Sequence, residues 1–184
     1  MDGLTLAPAA SEDLAAIQAI YAHHVLNGLG TFEETPPSVE EMARRHAAVT
    51  GYGLPWLVAR AEGRVLGYAY AGPFRTRAAY RYTVEDSVYV AADAARRGVG
   101  RALLTAVIAE CERLGLRQIT GVIGDSGNAA SIALHRACGF DLKAVLPALG
   151  FKHGRWVDVV WMQRALNGGG ASPPDGPGMD LSGT

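Results

Sequence analysis

Long apolar runs are missing from this chain of 184 residues. No stretch reaches the roughly 18 apolar residues that a membrane-spanning helix needs. The first ten residues also lack the basic and apolar regions of a secretory leader. We therefore expect no association with a membrane and a cytoplasmic location.

Cysteine is scarce, and charge of one sign is not in excess. Cys111 and Cys138 both fall in helical patterns, so we expect free thiols and neither a disulfide framework nor a Cys/His metal site. The formal net charge of -1 gives no basic surface of the kind that binds nucleic acid. We therefore expect neither a nucleic-acid-binding protein nor a fold held together by disulfides.

Glycine, in contrast, is abundant, with 23 residues, and its distribution divides the chain. Residues 167–184 are so rich in Gly, Pro and Ser that they cannot bury enough apolar surface to offset their ordering entropy. The sequence therefore predicts one domain over residues 1–166 and a flexible tail over 167–184 that makes no contact with the core.

Hydrophobic periodicity predicts the element order β-α-α-β-β-β-α-β-α-β-β, an α/β arrangement. Ser11 is predicted to cap the first helix, and the capping box Ser38-Val39-Glu40-Glu41 to start the second. Glu62-Gly63 separates two apolar runs, which predicts a hairpin.

A strand, a glycine turn and a helix follow one another in the middle of the chain. Val88-Tyr89-Val90 is followed by Arg96-Arg97-Gly98-Val99-Gly100-Arg101, which opens a long amphipathic helix. Glycines allow close approach of the backbone to a phosphate, and a helix start offers unpaired N–H groups. A P-loop is excluded because Arg101-Ala102 stands where Lys-Ser/Thr is needed, and a dinucleotide fingerprint is excluded by Leu103.

The glycine turn resembles the acetyl-CoA loop of the GNAT N-acetyltransferases, usually Gln/Arg-x-x-Gly-x-Gly/Ala, with Ala95 in the Gln/Arg position. Further segments resemble the phosphinothricin and methionine sulfone/sulfoximine acetyltransferases of that family. They are Gly30-Thr31-Phe32-Glu33-Glu34, Tyr70-Ala71-Gly72-Pro73-Phe74, Ala79-Tyr80-Arg81-Tyr82-Thr83-Val84-Glu85, Ser87-Val88-Tyr89-Val90 and Gly150-Phe151-Lys152-His153-Gly154. The resemblance covers nearly all of residues 4–166 and implies a GNAT fold, with a mixed, splayed sheet and helices on both faces.

The resemblance also implies an enzyme that moves acetyl from acetyl-CoA to the α-amine of a small amino-acid analogue by direct attack, and a homodimer. It implies that acetyl-CoA lies along a strand edge and on the helix start. The residues expected to bind it are Val88, Tyr89, Val90, Arg96, Arg97, Gly98, Val99, Gly100, Arg101, Asn128 and Ser131.

Two residues are candidates for proton transfer. Glu85 occupies the position of a proposed general base in the resembled enzymes, and a base is needed because an α-amino group has a pKa of about 8. His135 ends the motif from Asn128, where most of the superfamily has a tyrosine that protonates the CoA thiolate. Because an imidazole can act as acid or base, the division of roles between the two stays open. Strict alternation places Glu85, Ser87 and Tyr89 on one face, and a local bulge would change that register.

For the acceptor substrate, Arg75 and Arg77 are expected to bind its anionic group in a bidentate manner. The full set of expected substrate residues is Phe32, Arg75, Thr76, Arg77 and Tyr80. His23 and His24 are expected on a helix surface, and no role is assigned to Lys152-His153-Gly154. The alternatives are an acetyltransferase for proteins, peptides or polyamines, and a regulatory domain that binds acyl-CoA without catalysis.

Overall fold

The computed structural model describes residues 3–181. Seven strands and four helices follow in the predicted order. They are β1 (Thr5–Pro8), α1 (Leu14–Asn27), α2 (Val39–Gly51), β2 (Trp56–Ala61), β3 (Arg64–Pro73), β4 (Thr83–Val90), α3 (Val99–Arg113), β5 (Gln118–Gly124), α4 (Ala129–Ala137), β6 (Asp141–Lys152) and β7 (Arg155–Ala165). Three short 3-10 turns lie at Ser11–Asp13, Ala78–Tyr80 and Ala92–Ala94.

The strands form one mixed sheet in the order β1-β2-β3-β4-β5-β7-β6. Neighbouring strands in the sheet are antiparallel, except β4 and β5, which run parallel. Strand β6 therefore forms one edge, and the parallel pair lies near the centre. The connection between that pair is α3, as a parallel crossover requires.

Helices cover both faces of the sheet, as the resemblance implied. Tyr21 of α1 meets the ring of Tyr89, with centroids 4.9 Å apart. On the other face, Gly100 of α3 lies against the side chains of Val88 and Val90. Because successive strand residues point to opposite faces, Tyr89 and Val88 identify the two sides. The core is continuous across both, and α3 supplies six buried residues to it.

Local signals explain most element boundaries. Ser38 Oγ accepts from the backbone N–H of Glu41 at 3.2 Å, which confirms the predicted cap of α2. Glu62 and Gly63 both adopt positive φ, which is the turn geometry of a two-residue hairpin. The prediction that Ser11 caps the first helix is wrong. Ser11 lies in a 3-10 turn, where Asp13 Oδ2 accepts a hydrogen bond from the backbone N–H of Ala10.

The C-terminal segment contacts the domain, so the expectation that it makes no core contacts is wrong for residues 167–181. The buried guanidinium of Arg117 donates to the backbone carbonyls of Gly169 and Ser172, at 2.8 and 2.9 Å. Met179 is buried and donates its N–H to Arg81 O at 2.9 Å. The buried Arg117 cation needs hydrogen-bond acceptors and holds the segment through them. Composition alone predicts no such contact. Residues 182–184 lie outside the described part, and the boundary at residue 166 stays a prediction.

None of the helices within residues 3–181 combines the length and apolar character needed to cross a membrane.

Candidate active site

The centre of the sheet opens where β4 and β5 part. The parallel ladder runs from Thr83↔Gln118 to Asp86↔Gly121 and continues no further along β4. The ladder between β3 and β4 is unbroken, and Ala91 N donates to Leu66 O. By alternation, the N–H and C=O groups of Val88 point to the open edge, away from β3. An extended ligand that contains amides can pair there as an added strand.

His24 reaches this edge from α1. Its Nε2 donates to the backbone carbonyl of Val90 at 2.9 Å, and the ring is half-buried against Tyr89. Burial lowers the pKa of His24. The expectation of a helix-surface histidine is therefore wrong, because helix periodicity does not reveal a partner 66 residues away.

The glycine turn leads directly into α3. Gly98 adopts a φ of 78° at the N-cap, and Arg96 also has positive φ. This left-handed backbone suits glycine, and the start of α3, whose first N–H groups lack helical partners, lines the opening with Gly98, Val99 and Gly100. Gly100 has a different function, since an added Cβ would lie 3.3 Å from Leu134 and 3.5 Å from Val90. It allows α3 to pack closely on β4 and α4.

A cavity of ≈ 550 Å³ occupies the space between the parted strands. The predicted acetyl-CoA residues that line it are Val88, Tyr89, Val90, Arg96, Gly98, Val99, Gly100, Arg101, Asn128 and Ser131. Arg97 is exposed and is not among the lining residues. His135, His24 and Asp86 also line the cavity. The sequence analysis did not predict His24 or Asp86 as site residues. The lining joins an open strand edge, a helix start and cationic side chains, which suits a ligand with amides and a pyrophosphate.

Asp86 and His135 form a buried pair in the cavity wall. His135 Nε2 lies 3.1 Å from Asp86 Oδ2, and Nδ1 lies 2.8 Å from the carbonyl of Ser131. Burial lowers the pKa of His135, whereas the hydrogen bond and charge of Asp86 raise it more, so the pKa lies above its ordinary value. The pair therefore favours a protonated imidazole.

Glu85 lies on the opposite face of β4 from this pair. The register between β3 and β4 shows no bulge, so Glu85, Ser87 and Tyr89 share a face as strict alternation predicts. Burial and the neighbouring Asp86 raise the pKa of Glu85, and Arg75 opposes them only in part. A half-buried carboxylate with a raised pKa is better matched to taking a proton near neutral pH.

The expected substrate residues cluster beside Glu85 only in part. Arg75 lies over the ring of Phe74 at 4.9 Å and interacts electrostatically with Glu85. Tyr80 and Trp161 contact the same Phe74 ring, with centroids 5.3 and 5.5 Å away. Thr76 and Arg77 are exposed on the loop that follows.

Phe32 lies at the far end of β5, where two glycines leave room for its ring. A Cβ at Gly150 would lie 2.3 Å from the Phe32 ring, and one at Gly124 would lie 3.2 Å from it. Next to it, the 1% exposed Lys152 donates from Nζ to Thr31 O at 2.8 Å. Of the Lys152-His153-Gly154 turn, to which the sequence assigned no role, Lys152 thus helps to hold the loop before α2 against β6.

Comparison with known proteins agrees with this geometry. The family profile of the Acetyltransferase (GNAT) domain matches residues 6–161. The chain belongs to the GNAT acetyltransferase family. It is accordingly an acetyl-CoA-dependent N-acetyltransferase, as the sequence resemblance implied.

Individual relatives cover most of the chain. A phosphinothricin N-acetyltransferase of Alcaligenes faecalis is 56% identical over 164 residues, which span 89% of this chain and 83% of the relative. An L-methionine sulfoximine/L-methionine sulfone acetyltransferase of Pseudomonas aeruginosa is 42% identical over 84% of this chain and 90% of the relative. The crystal structure of a Sinorhizobium meliloti phosphinothricin acetyltransferase in complex with acetyl-CoA superposes with a TM-score of 0.90, at 50% identity, covering 93% of this chain and 92% of that one.

Proposed function

We propose that this acetyltransferase acylates the α-amino group of a small, anionic amino-acid analogue, of the phosphinothricin or methionine sulfone/sulfoximine type. The observation that carries the proposal is the electrostatic interaction of Glu85 with Arg75, which follows the end of β3 that pairs with this part of β4. A cation that can bind the substrate anion thus acts on a carboxylate that can take the amine proton. The names of the relatives support the same substrate class.

We propose direct attack of the amine on the thioester that acetyl-CoA supplies. Neither thiol suits a covalent intermediate, since Cys111 and Cys138 are buried. Burial also raises the pKa of Cys111 to about 12, which leaves little thiolate. The open edge at Val88 and the start of α3 would hold acetyl-CoA, and Glu85 would remove the amine proton directly or through water.

A substrate panel tests this function. The purified chain is assayed for thiol release from acetyl-CoA with phosphinothricin, methionine sulfone, methionine sulfoximine, a peptide with a free N-terminus and a polyamine. We expect saturation with the amino-acid analogues and no turnover of the peptide or polyamine. Preference for either of the last two would favour the alternative acetyltransferases, and no thiol release with any amine would favour a binding domain.

We further propose that the chain forms a homodimer through the β6 edge. Exposed apolar side chains concentrate there and at the start of β7, with the rings of Phe151 and Trp156 5.3 Å apart. They are Leu142, Val145, Leu149, Phe151 and Trp156. An apolar sheet edge of this kind pairs readily with a second copy. Sedimentation should show a dimer, and Trp156→Glu should shift it to monomer; a monomeric parent chain would contradict the proposal.

The two free thiols support the cytoplasmic location, which we retain as a proposal.

A further inference from the structure

The buried Asp86–His135 pair occupies the point where the two central strands part. Asp86 pairs with Gly121 on the last rung before β4 and β5 separate. The side chains of His135 and Asp86 are 5% and 1% exposed. A carboxylate and an imidazole so far from solvent are stable there only because they face each other. The cavity wall thus contains a buried polar pair at the point where the strands part.

The hydrogen bonds of His135 show where its protons lie. The carbonyl of Ser131 can only accept, so Nδ1 carries a hydrogen. Nε2 faces Asp86 Oδ2, which also accepts when ionised. A second proton must therefore lie between Nε2 and Oδ2, since two lone pairs would otherwise face each other. The pair stores one proton beyond the one on Nδ1.

Gly121 provides the space for this pair. An added Cβ there would lie 2.7 Å from Cδ2 and Nε2 of His135 and 3.3 Å from Asp86 Oδ1. A larger residue would displace the imidazole from the point where β4 and β5 part, which we call the strand vertex. The absence of a side chain at this rung is therefore part of the site.

One oxygen of the pair has no protein partner. Asp86 Oδ1 is buried and makes no hydrogen bond within the described residues, while both members of the pair line the cavity. Buried polar atoms nearly always have a partner. The oxygen is consequently available to a water or a polar ligand group at the cavity wall.

We propose that Asp86 is a positioning residue that holds the His135 imidazole and its Nε2 proton at the strand vertex, as the donor for the departing thiolate. When the thioester C–S bond breaks, its electron pair goes to sulfur. Nε2–H gives up its hydrogen bond to Asp86 Oδ2, the Nε2–H bond breaks, and an S–H bond forms. The substrate ammonium loses two protons, of which one restores the pair and the other leaves to solvent. This last step rests on the direct attack proposed above.

Other charges near the pair cannot replace Asp86. Glu85 precedes it on β4 but points to the other face, and Cys111 of α3 is a neutral thiol with a pKa of about 12. Among the causes that shift the pKa of His135, those that raise it come from Asp86 and the Ser131 carbonyl. Removing the charge of Asp86 while keeping its shape should therefore act on the imidazole selectively.

Asp86→Asn tests the proposal through the pKa of His135, followed by NMR in the ligand-free protein. The His135 resonance is assigned by its loss in His135→Asn. We expect the imidazole pKa to fall by about 1–3 units in Asp86→Asn. The alkaline limb of kcat should move to lower pH by the same amount. Asp141→Asn, an exposed carboxylate on β6, is the matched control and should change neither value.

An unchanged imidazole pKa in folded Asp86→Asn would overturn the proposal, as would an unchanged pH profile of kcat. If that variant does not fold, the parent chain decides. Nitrogen shifts of a doubly protonated His135 at pH 7 support the proposal, and those of a neutral ring contradict it. Because the titration needs no substrate, its outcome is separate from that of the substrate panel.

Discussion

Two consecutive carboxylates on β4 have different surroundings, and the sequence suggested a role for the first of them alone. Glu85 interacts electrostatically with Arg75, and Asp86 on the opposite face of the strand lies against His135. Alternation along the strand separates them by the thickness of the sheet backbone. The proposed base for the amine and the proposed proton donor for the thiolate therefore lie on opposite sides of one strand.

Glu85→Gln should lower kcat about 10²–10⁴-fold while acetyl-CoA binding stays near normal, because the amine loses its base. The folded state raises the pKa of Glu85, so its ionised form opposes folding once the pH exceeds the unfolded value. The neutral amide should consequently leave Tm at pH 7 unchanged or higher. In the parent chain, kcat/KM should fall as the pH drops through this raised pKa.

Glu110→Gln is the matched control, since Glu110 pairs with Arg113 on the outer side of α3. Steady-state kinetics and thermal melts of both variants give the comparison. Full activity of Glu85→Gln at pH 7 would assign the base role elsewhere.

Arg75→Ala should raise the KM of the amine substrate roughly 10–150-fold, which corresponds to losing a charged hydrogen bond of about 1.5–3 kcal/mol. The KM of acetyl-CoA should hardly change, because Arg75 is not among the cavity-lining residues. Arg77→Ala is measured alongside, and Arg113→Ala serves as a surface control. If the substrate KM stays at the parent value in both loop variants, the anion binds elsewhere.

At the scale of elements, the unit of β4, glycine turn and α3 builds most of the cavity that we propose for acetyl-CoA. Its two glycines serve different needs: Gly98 provides a left-handed backbone, and Gly100 allows close packing. The sequence motif shows both glycines but not this division. It follows from φ at one position and from neighbouring side chains at the other.

Gly98→Ala should destabilise the fold by about 1–2 kcal/mol, the cost of a left-handed conformation in a residue with a Cβ. It should also weaken acetyl-CoA about 10–150-fold, because the N–H groups at the start of α3 lose their orientation. Gly115→Ala is a closely matched control. Gly115 has a φ of 74° just after the same helix, with open space around its Cβ position.

Both variants should therefore lose similar stability in denaturant titrations, and only Gly98→Ala should lose affinity in calorimetry. Equal acetyl-CoA affinity in the two variants would show that the turn does not hold the pyrophosphate.

At the scale of the whole molecule, the C-terminal segment crosses the starts of β4 and β5, at the end opposite the cavity. Arg117 precedes β5 and binds the segment through Gly169 and Ser172, and Tyr82 precedes β4 and donates to Gly176 O at 2.6 Å. These contacts tie the ends of the two central strands together. The segment is thus positioned to affect stability rather than chemistry.

Truncation after Leu166 should lower Tm by several degrees, because Arg117 loses its acceptors and each buried donor left unpaired costs about 1–3 kcal/mol. One kcal/mol corresponds to about 2–4 °C for a domain of this size. At 25 °C, kcat/KM should stay close to that of the full chain. Equal melting of the truncated and full chains would restore the flexible-tail prediction.

The sequence by itself determined the order of the elements, the glycine turn and the family. These depend on local periodicity, on caps such as Ser38 and on contiguous motifs, all of which are encoded within a few residues. The sequence also named Glu85 and His135 as candidates, because their motifs resemble those of the family, and their catalytic roles stay predictions.

Only the tertiary structure decided which residues act together. Asp86 meets His135 across 49 residues, His24 meets Val90 across 66, and Arg117 meets Gly169 across 52. Composition predicted a free tail because it counts apolar surface, whereas a buried guanidinium holds the segment through backbone carbonyls. Partners of this kind are set by how strands and helices pack, and packing brings together groups whose separation along the chain carries no local signal.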